Sequence, residues 1–243
     1  NGASVAQNLK AFSLGRWAYL HPADAEAALS EKVVQKPKTL SEMIAFRSDH
    51  LMAYQGAALA ETYTKAVAQF DGSGLQEAVA KSYHKLLSYK DEYEVARLLL
   101  DTRAKAREAF DGDLKLTYHL APPVLSAKGA DGRPKKRAFG AILEKGLPYL
   151  AKLKGLRGTP FDPFGYSAER KMERALITEF EGDMALLLSM PDAPTDLAKA
   201  LAALPQDIRG FGPVKDANVR KVAKKREELL AALRQPPLVH AAE

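Results

Sequence analysis

Apolar side chains recur at helical spacing along most of this 243-residue sequence, and this pattern constrains the fold more than any other feature. The stretch 39–70 opens with a capping-box pair, Thr39 and Glu42, and then keeps its apolar residues on one helical face. The same pattern recurs from Leu75 to about Ala109. We therefore predict a mainly α-helical fold in which these two long helices form an antiparallel hairpin.

One short stretch has a different period. Apolar and polar residues alternate strictly from Leu114 to Leu120, which predicts a half-buried β-strand with His119 on its polar face. A lone histidine in such a place is typically a structural residue. Beyond the strand, Asp131 and Gly132 form a turn signal and Pro134 excludes a central strand. We expect an exposed basic loop or a hairpin tip there, and then a short region at 141–152 that Pro148 interrupts.

Glycines and prolines between Gly155 and Tyr166 rule out a continuous helix or strand in that stretch. Ser167 can then cap an amphipathic helix. Its apolar stripe consists of Met172, Leu176, Phe180, Met184 and Leu187. A last helix is predicted at about 216–234, after a second Gly/Pro loop whose "RGFG" at 209–212 we interpret as a turn.

The beginning of the chain reads as a separate element. A short helix is predicted before Pro22, and the stretch 22–37 is interpreted as a linker. The sequence begins with Asn1 and not with methionine, so we expect it to be part of a longer protein. The remainder, 38–243, is predicted to form one helical domain.

Composition excludes several kinds of chemistry. The chain has no cysteine, which excludes a disulfide framework, a thiol nucleophile and Cys-ligated zinc or iron–sulfur clusters in this segment. No apolar run is long enough for a membrane span, and we expect a cytoplasmic protein. The five histidines lack the helical spacing of a metal pair, and no nucleotide-binding or hydrolase motif occurs. We therefore assign no catalytic residue, no metal ligand and no cofactor site to the segment.

Positive charge is concentrated in the middle of the chain. The formal net charge is +6, while residues 127–174 hold twelve basic and five acidic residues and the remainder is about neutral. An acidic partner or an anion should be drawn to this segment, although a solvated basic surface would look the same. The candidate contacts are Lys128, Arg133, Lys135, Lys136, Arg137 and Arg157. For the basic residues near the start of the helix after Ser167, we favour pairing with Glu169 and Glu173 over ligand binding.

Five blocks of the sequence, spread over roughly residues 40–235, carry a resemblance to a known family. They are "LLSYKDEYEVARLLLD", "FDGDLKLTYHLAPP", "DGRPKKRAFG", "LKGLRGTPFDPFGYSAERKMERALI" and "LPQDIRGFGPVKDANV". Together they resemble the C-terminal domain of the large, fused bacterial indolepyruvate ferredoxin oxidoreductases. The opening "NGASVAQNLKAFSLGRWA" resembles the last helix of the gamma-type domain that precedes this region in the same family, which would make residues 1–21 the end of that domain.

The resemblance implies a function for the whole enzyme and not for this segment. Such enzymes decarboxylate an aryl 2-oxoacid on thiamine diphosphate and Mg, and pass electrons through iron–sulfur clusters to ferredoxin. The segment would then be a structural and interaction domain that packs on the rest of the polypeptide or on a homodimer partner. Its basic loops would meet ferredoxin or hold an anionic substrate.

A second hypothesis is an independent basic helical module that binds nucleic acid or another polyanion. Against it, no nucleic-acid-binding motif occurs, and no aromatic residues alternate with the basic ones at 135–137. The continuation of the reading frame upstream through a cysteine-rich domain would distinguish the two hypotheses.

Overall fold

A computed structural model describes residues 5–30, 37, 39–110, 115–120 and 137–234 of the chain. Within these ranges the backbone forms ten α-helices, two 3-10 turns and one two-stranded antiparallel sheet. The prediction of a mainly α-helical fold is therefore confirmed. The chain divides into two compact units, Asn1–Thr39 and Leu40–Glu243.

The first unit contains α1 (Val5–Leu20) and α2 (Pro22–Ser30). The helix predicted before Pro22 is present as α1, and no residue of α1 is buried. Part of the stretch interpreted as a linker is helical, because α2 occupies its first nine residues. Proline at the first helical position and Asp24 in the first turn both favour a helix N-terminus.

The second unit begins with four helices where two were predicted. They are α3 (Leu40–Tyr54), α4 (Ala57–Ala68), α5 (Gln76–Leu87) and α6 (Glu92–Ala109). The first predicted helix breaks at Gly56, whose φ of 147° lies outside the helical region. The second breaks because Asp91 caps a new helix, its carboxylate accepting a hydrogen bond from the Glu94 amide at 2.9 Å. The predicted hairpin of two long helices is therefore wrong in detail.

The small sheet lies between α6 and the next helix in the sequence. β1 (Tyr118–Leu120) pairs antiparallel with β2 (Arg137–Phe139), Tyr118 lying opposite Phe139. The strand predicted at 114–120 is thus confirmed for its last three residues, with His119 exposed as expected, while residue 114 lies outside the described residues. Next comes α7 (Ala141–Lys152), which continues through Pro148 where an interruption was predicted.

The rest of the second unit forms α8 (Ala168–Ser189), α9 (Thr195–Ala203) and α10 (Pro213–Arg234), with 3-10 turns at Leu153–Leu156 and Leu204–Asp207. Four of the five residues of the stripe predicted for α8 pack in the main core, namely Leu176, Phe180, Met184 and Leu187. The helix α9 was not predicted, although Leu201 is fully buried. The helix α10 starts three residues before the predicted position. Of these described helices none combines the length and the apolar character that a membrane crossing needs.

Buried tyrosines connect the helices of the main core. The hydroxyls of Tyr54 and Tyr63 donate to the backbone carbonyls of Tyr89 and Ala80, at 2.8 and 3.2 Å. The hydroxyl of Tyr83 donates to Glu181 of α8 at 2.6 Å. Each ring is almost fully buried, so each hydroxyl needs an internal partner. These bonds hold α3, α4, α5 and α8 at fixed positions in the second unit.

Candidate functional site

The loop that follows α7 is fixed to the helices by Arg157. This guanidinium forms a bidentate ion pair with Asp91, its Nε and Nη2 lying 2.6 and 2.9 Å from the carboxylate oxygens. Its Nη1 donates to the Tyr54 carbonyl at 3.0 Å, and the guanidinium carbon lies 3.7 Å from the centre of the Tyr54 ring. The side chain is 3% exposed. The expectation that Arg157 contacts a partner or an anion is therefore wrong. Its side chain is buried, and its charge is paired with Asp91 inside the protein.

Asp162 organises the remainder of the same loop. Its carboxylate accepts hydrogen bonds from the Tyr93 hydroxyl and from the amides of Gly158 and Phe164, at 3.0 to 3.2 Å. A Cβ at Gly165 would lie 2.9 Å from this carboxylate, so glycine is required by the close approach. The loop at 157–166 thus turns a corner and connects α6 to α8, which explains its glycines without a ligand.

Of the basic residues at the start of α8, Arg170 is paired with Glu169 and Glu173, as the sequence favoured. Arg170 lies 2.7 Å from Glu173, and Lys215 of α10 contacts the other oxygen of the same carboxylate. Burial raises the pKa of Glu173 despite these two cations. Arg174 donates to the Gly165 carbonyl at 2.6 Å. This network joins α8 to α10 and forms one wall of a cleft.

The cleft lies between the end of α5, the start of α8 and the turn before α10, and its volume is about 360 Å³. Four cations line it, and we call it the basic cleft: Lys85, Lys90, Arg209 and Lys215. Its apolar lining includes Leu86, Leu176, Pro205, Ile208 and Phe211. Glu173 is the carboxylate among its lining residues. The lining therefore combines positive charge with apolar surface.

Two glycines in the turn at 209–212 shape the cleft. Gly210 has a φ of 90° and Gly212 a φ of 54°, both in the region that side chains rarely adopt. A Cβ at Gly210 would also lie 2.7 Å from a methyl group of Val214. The turn leaves Phe211 73% exposed, and α10 begins directly after it. The turn that the sequence indicated is therefore present, and it places an arginine and an aromatic ring in the lining.

The positive charges of Arg209 and Lys215 repel that of Lys85. Burial lowers the pKa of Lys85, and the positive charges of Arg209 and Lys215 lower it further, while Asp207 opposes them. The ammonium of Lys85 donates to the Gln206 carbonyl at 2.9 Å, and Arg209 donates to the same carbonyl through Nε at 3.3 Å. Because this acceptor is neutral, it leaves the positive potential of the cleft in place. Such a site can hold an anionic group, and the described residues offer no cluster of three or more metal-ligating side chains.

Residues 40–228 match a protein family described as "Family of unknown function (DUF6537)". The chain belongs to this family. No curated protein and no solved structure matches the sequence. All residues of the basic cleft and of the loop at 157–166 lie within the DUF6537 match.

Of the other candidate contacts, Arg137 is the one that the structure describes, and it is not among the residues that line the basic cleft. Arg137 lies in β2, where it is exposed and pairs in register with Leu120. The remaining candidates, Lys128, Arg133, Lys135 and Lys136, lie outside the described residues. The sequence did not point to Lys85, Lys90, Arg209 and Lys215, because they come from two stretches of the DUF6537 segment, 85–90 and 209–215, that lie far apart along the chain. The only local signal was the arginine within the glycine turn.

A second group of charged residues, also missed, connects α3, α5 and α6. Arg47 lies within hydrogen-bonding distance of His84 Nδ1 at 2.9 Å, and His84 Nε2 lies 3.0 Å from His50 Nδ1. His50 in turn lies 3.7 Å from Glu94, which also pairs with Arg97 at 2.7 Å. We call this chain of contacts the histidine relay.

The histidine relay fixes protonation states. Burial, together with the charges of Arg47 and His50, lowers the pKa of His84 to about 3. Neutral His84 can then accept a hydrogen bond from Arg47 and donate one to His50. Burial opposes ionisation of Glu94, but hydrogen bonds from Arg97 and His50 outweigh it and lower its pKa to about 2. Histidine spacing along one helix does not indicate this pair, because His50 and His84 belong to two different helices.

Proposed function

We propose that this chain is an accessory interaction domain of an indolepyruvate ferredoxin oxidoreductase that oxidatively decarboxylates aryl 2-oxoacids. In this proposal the segment itself is not catalytic. Thiamine diphosphate, Mg and the iron–sulfur clusters are held elsewhere in the enzyme, and the whole protein is cytoplasmic. The domain packs on the remainder of the polypeptide or on a homodimer partner, and ferredoxin is a candidate partner for its basic surface.

The sequence blocks that carry the resemblance overlap with the lining of the basic cleft, and this overlap supports the proposal. Of the five blocks that carry the resemblance, three contribute lining residues to the basic cleft. The first block supplies Lys90, the fourth supplies Glu173, and the fifth supplies Arg209, Phe211 and Lys215. The resemblance thus coincides with a site that the fold assembles from distant parts of the chain. This supports a role in contacts with an acidic partner or an anion.

The proposal is tested on the protein purified under anaerobic conditions from its source organism. We expect a species larger than a 243-residue chain that contains both iron and thiamine diphosphate, either as one polypeptide or as a stable complex. Intact mass, metal analysis and cofactor extraction measure these properties. A native protein of the size of this chain that lacks both cofactors would overturn the proposal.

The isolated chain should not catalyse the reaction. Incubated with indolepyruvate, thiamine diphosphate, Mg and a viologen dye, it should reduce the dye no faster than a buffer control, because it supplies no cysteine for a cluster. The rate of dye reduction measures this. Turnover above the control would show that the segment is an enzyme in its own right.

The basic segment around 128–137 provides a test of ferredoxin docking in the full-length enzyme. Ferredoxins are acidic, and positive charge accelerates their approach over a Debye length of about 8 Å at physiological ionic strength. The variant Lys135→Glu with Arg137→Glu should raise the KM for ferredoxin several-fold and leave that for the oxoacid unchanged. The effect should shrink in high salt.

A matched control reverses two exposed charges on α10, Lys221→Glu with Lys224→Glu, which lie outside the basic segment. This control should change neither KM. If the Lys135 and Arg137 variant raises the KM for the oxoacid instead, the loop holds an anionic substrate. Unchanged kinetics for both substrates would mean that the basic segment is solvated surface.

A further inference from the structure

We propose that the basic cleft binds a small aromatic anion, its phosphate or carboxylate group near Lys85 and Arg209 and its ring beside Phe211. This inference concerns the chain itself and does not depend on which enzyme the chain serves. It rests on the shape, the charge and the apolar lining of the cleft.

The shape favours a small molecule over a flat protein surface. The volume of about 360 Å³ lies in the lower part of the range found for ligand pockets. The walls come from α5, α8 and the turn at 209–212. Partly buried contacts between the elements hold two of these walls, because Tyr83 bonds to Glu181 and Lys215 bonds to Glu173. The cleft is therefore formed by elements that other contacts already position.

The charge favours an anion. Among the residues that the structure describes, four cations line the cleft against one carboxylate, and that carboxylate, Glu173, is already shared by Arg170 and Lys215. Asp207 is a further acidic residue near Lys85, and its carboxylate lies 3.4 Å from Lys225. Lys85 and Arg209 both donate to a neutral carbonyl, which leaves their charges uncompensated by that bond. An anionic group placed between them would offset this repulsion.

The apolar lining favours a ligand that also has a flat apolar group. Phe211 is 73% exposed, while Ile208 beside it is buried. Pro205 and Leu176 continue the same surface. An aromatic ring beside Phe211 would remove this surface from water, and stacked aromatic pairs add about 0.5–1.5 kcal/mol beyond the area that they bury. An aromatic anion can contact both the cations and the apolar residues of the lining, whereas inorganic phosphate can use only the cations.

Isothermal titration calorimetry at pH 7 and low salt tests the proposal with phenyl phosphate and benzoate as probes. Inorganic phosphate and phenol are the matched half-ligands. We expect at least one aromatic anion to bind about tenfold more tightly than either half-ligand. Phenyl phosphate alone would identify an organic phosphate site, and benzoate alone a carboxylate site. If neither aromatic anion binds better than its half-ligands, the proposal is wrong.

Variants locate the binding. Arg209→Gln, at an exposed position, should weaken the binding of the aromatic anion about tenfold. Adding Lys85→Met should abolish detectable binding. Phe211→Ala should weaken the binding of the aromatic anion several-fold and leave the affinity for inorganic phosphate unchanged. The control Lys171→Gln, an exposed lysine of α8 outside the cleft lining, should bind normally.

Circular dichroism and the thermal midpoint confirm that each variant is folded. Equal affinity in all variants would place the binding elsewhere and overturn the assignment. Oligoglutamate is a competing probe for an acidic protein partner. If it binds in an Arg209-dependent manner while both aromatic anions fail, the cleft is a protein-docking site and the proposal is also overturned.

Discussion

Replacing Arg157 with alanine should lower the free energy of unfolding by about 3–5 kcal/mol, the usual cost of removing one partner from a buried ion pair. The variant leaves the Asp91 carboxylate buried without its bidentate partner. It also removes the guanidinium from the Tyr54 ring and from the Tyr54 carbonyl. Urea denaturation at pH 7, followed by circular dichroism, measures the loss.

Two comparisons separate the ion pair from simple loss of side-chain volume. Lys154→Ala removes a nearby, partly exposed lysine whose ammonium donates to the Ala53 carbonyl at 2.7 Å, and it should cost less than about 1 kcal/mol. The double variant Arg157→Met with Asp91→Asn removes both charges but keeps an N-cap residue and an aliphatic side chain. It should recover much of the stability that Arg157→Ala loses. A loss below about 1 kcal/mol in Arg157→Ala would contradict this account of the loop.

The sequence predicted those features that depend on neighbouring residues. The Ser167 cap of α8 is formed, its hydroxyl accepting from the Arg170 amide at 3.3 Å. The turn at 209–212 and the strand residues 118–120 follow from local glycine content and local alternation. Local patterns predicted these elements because the decisive contacts join residues only a few positions apart.

The breaks within the long helical patterns were harder to predict. Gly56 and Asp91 each interrupt a stretch whose apolar spacing is compatible with one continuous helix. A single glycine in a helix costs only about 1 kcal/mol, so the pattern alone does not indicate the break. At Asp91 a tertiary contact adds to the local cap, because the carboxylate that accepts from the Glu94 amide also pairs with Arg157, sixty-six residues away. The short helix α9 was missed because its nine residues offer little periodicity.

The basic cleft could not be predicted from spacing, because its residues meet only through tertiary contacts. Lys85, Glu173 and Arg209 belong to three elements that are separated by long stretches of sequence. The predicted concentration of charge at 127–174 pointed to a different part of the chain, and two of its arginines, Arg157 and Arg170, are buried in ion pairs. Net charge along a sequence counts these paired residues equally with free ones. It therefore overestimates how much of that charge an outside partner can meet.

Acidification from pH 7 to pH 5 should destabilise the second unit through His84. Its pKa is about 3 in the folded protein and about 6.5 in an unfolded chain. The unfolded state therefore takes up the proton first, so stability is lost as the pH falls below 6.5 and continues to fall until about pH 3. Linkage gives a loss of about 2 kcal/mol at pH 5 from this residue. Urea denaturation at both pH values measures it.

The variant His84→Gln assigns this pH dependence to the histidine relay. Glutamine can accept a hydrogen bond from Arg47 and donate one to His50, as neutral His84 does, but it does not titrate. We expect it to retain most of the stability at pH 7 and to lose about 2 kcal/mol less than the parent protein on going to pH 5. His119→Gln, which changes an exposed histidine of β1, is the control and should lose as much as the parent. Measurements stay at pH 5 and above, because the pKa of Glu94 is lowered to about 2 and its contribution is lost only as the pH falls from 4.5 towards that value. If His84→Gln shows the full pH dependence of the parent, protonation of His84 is not its cause.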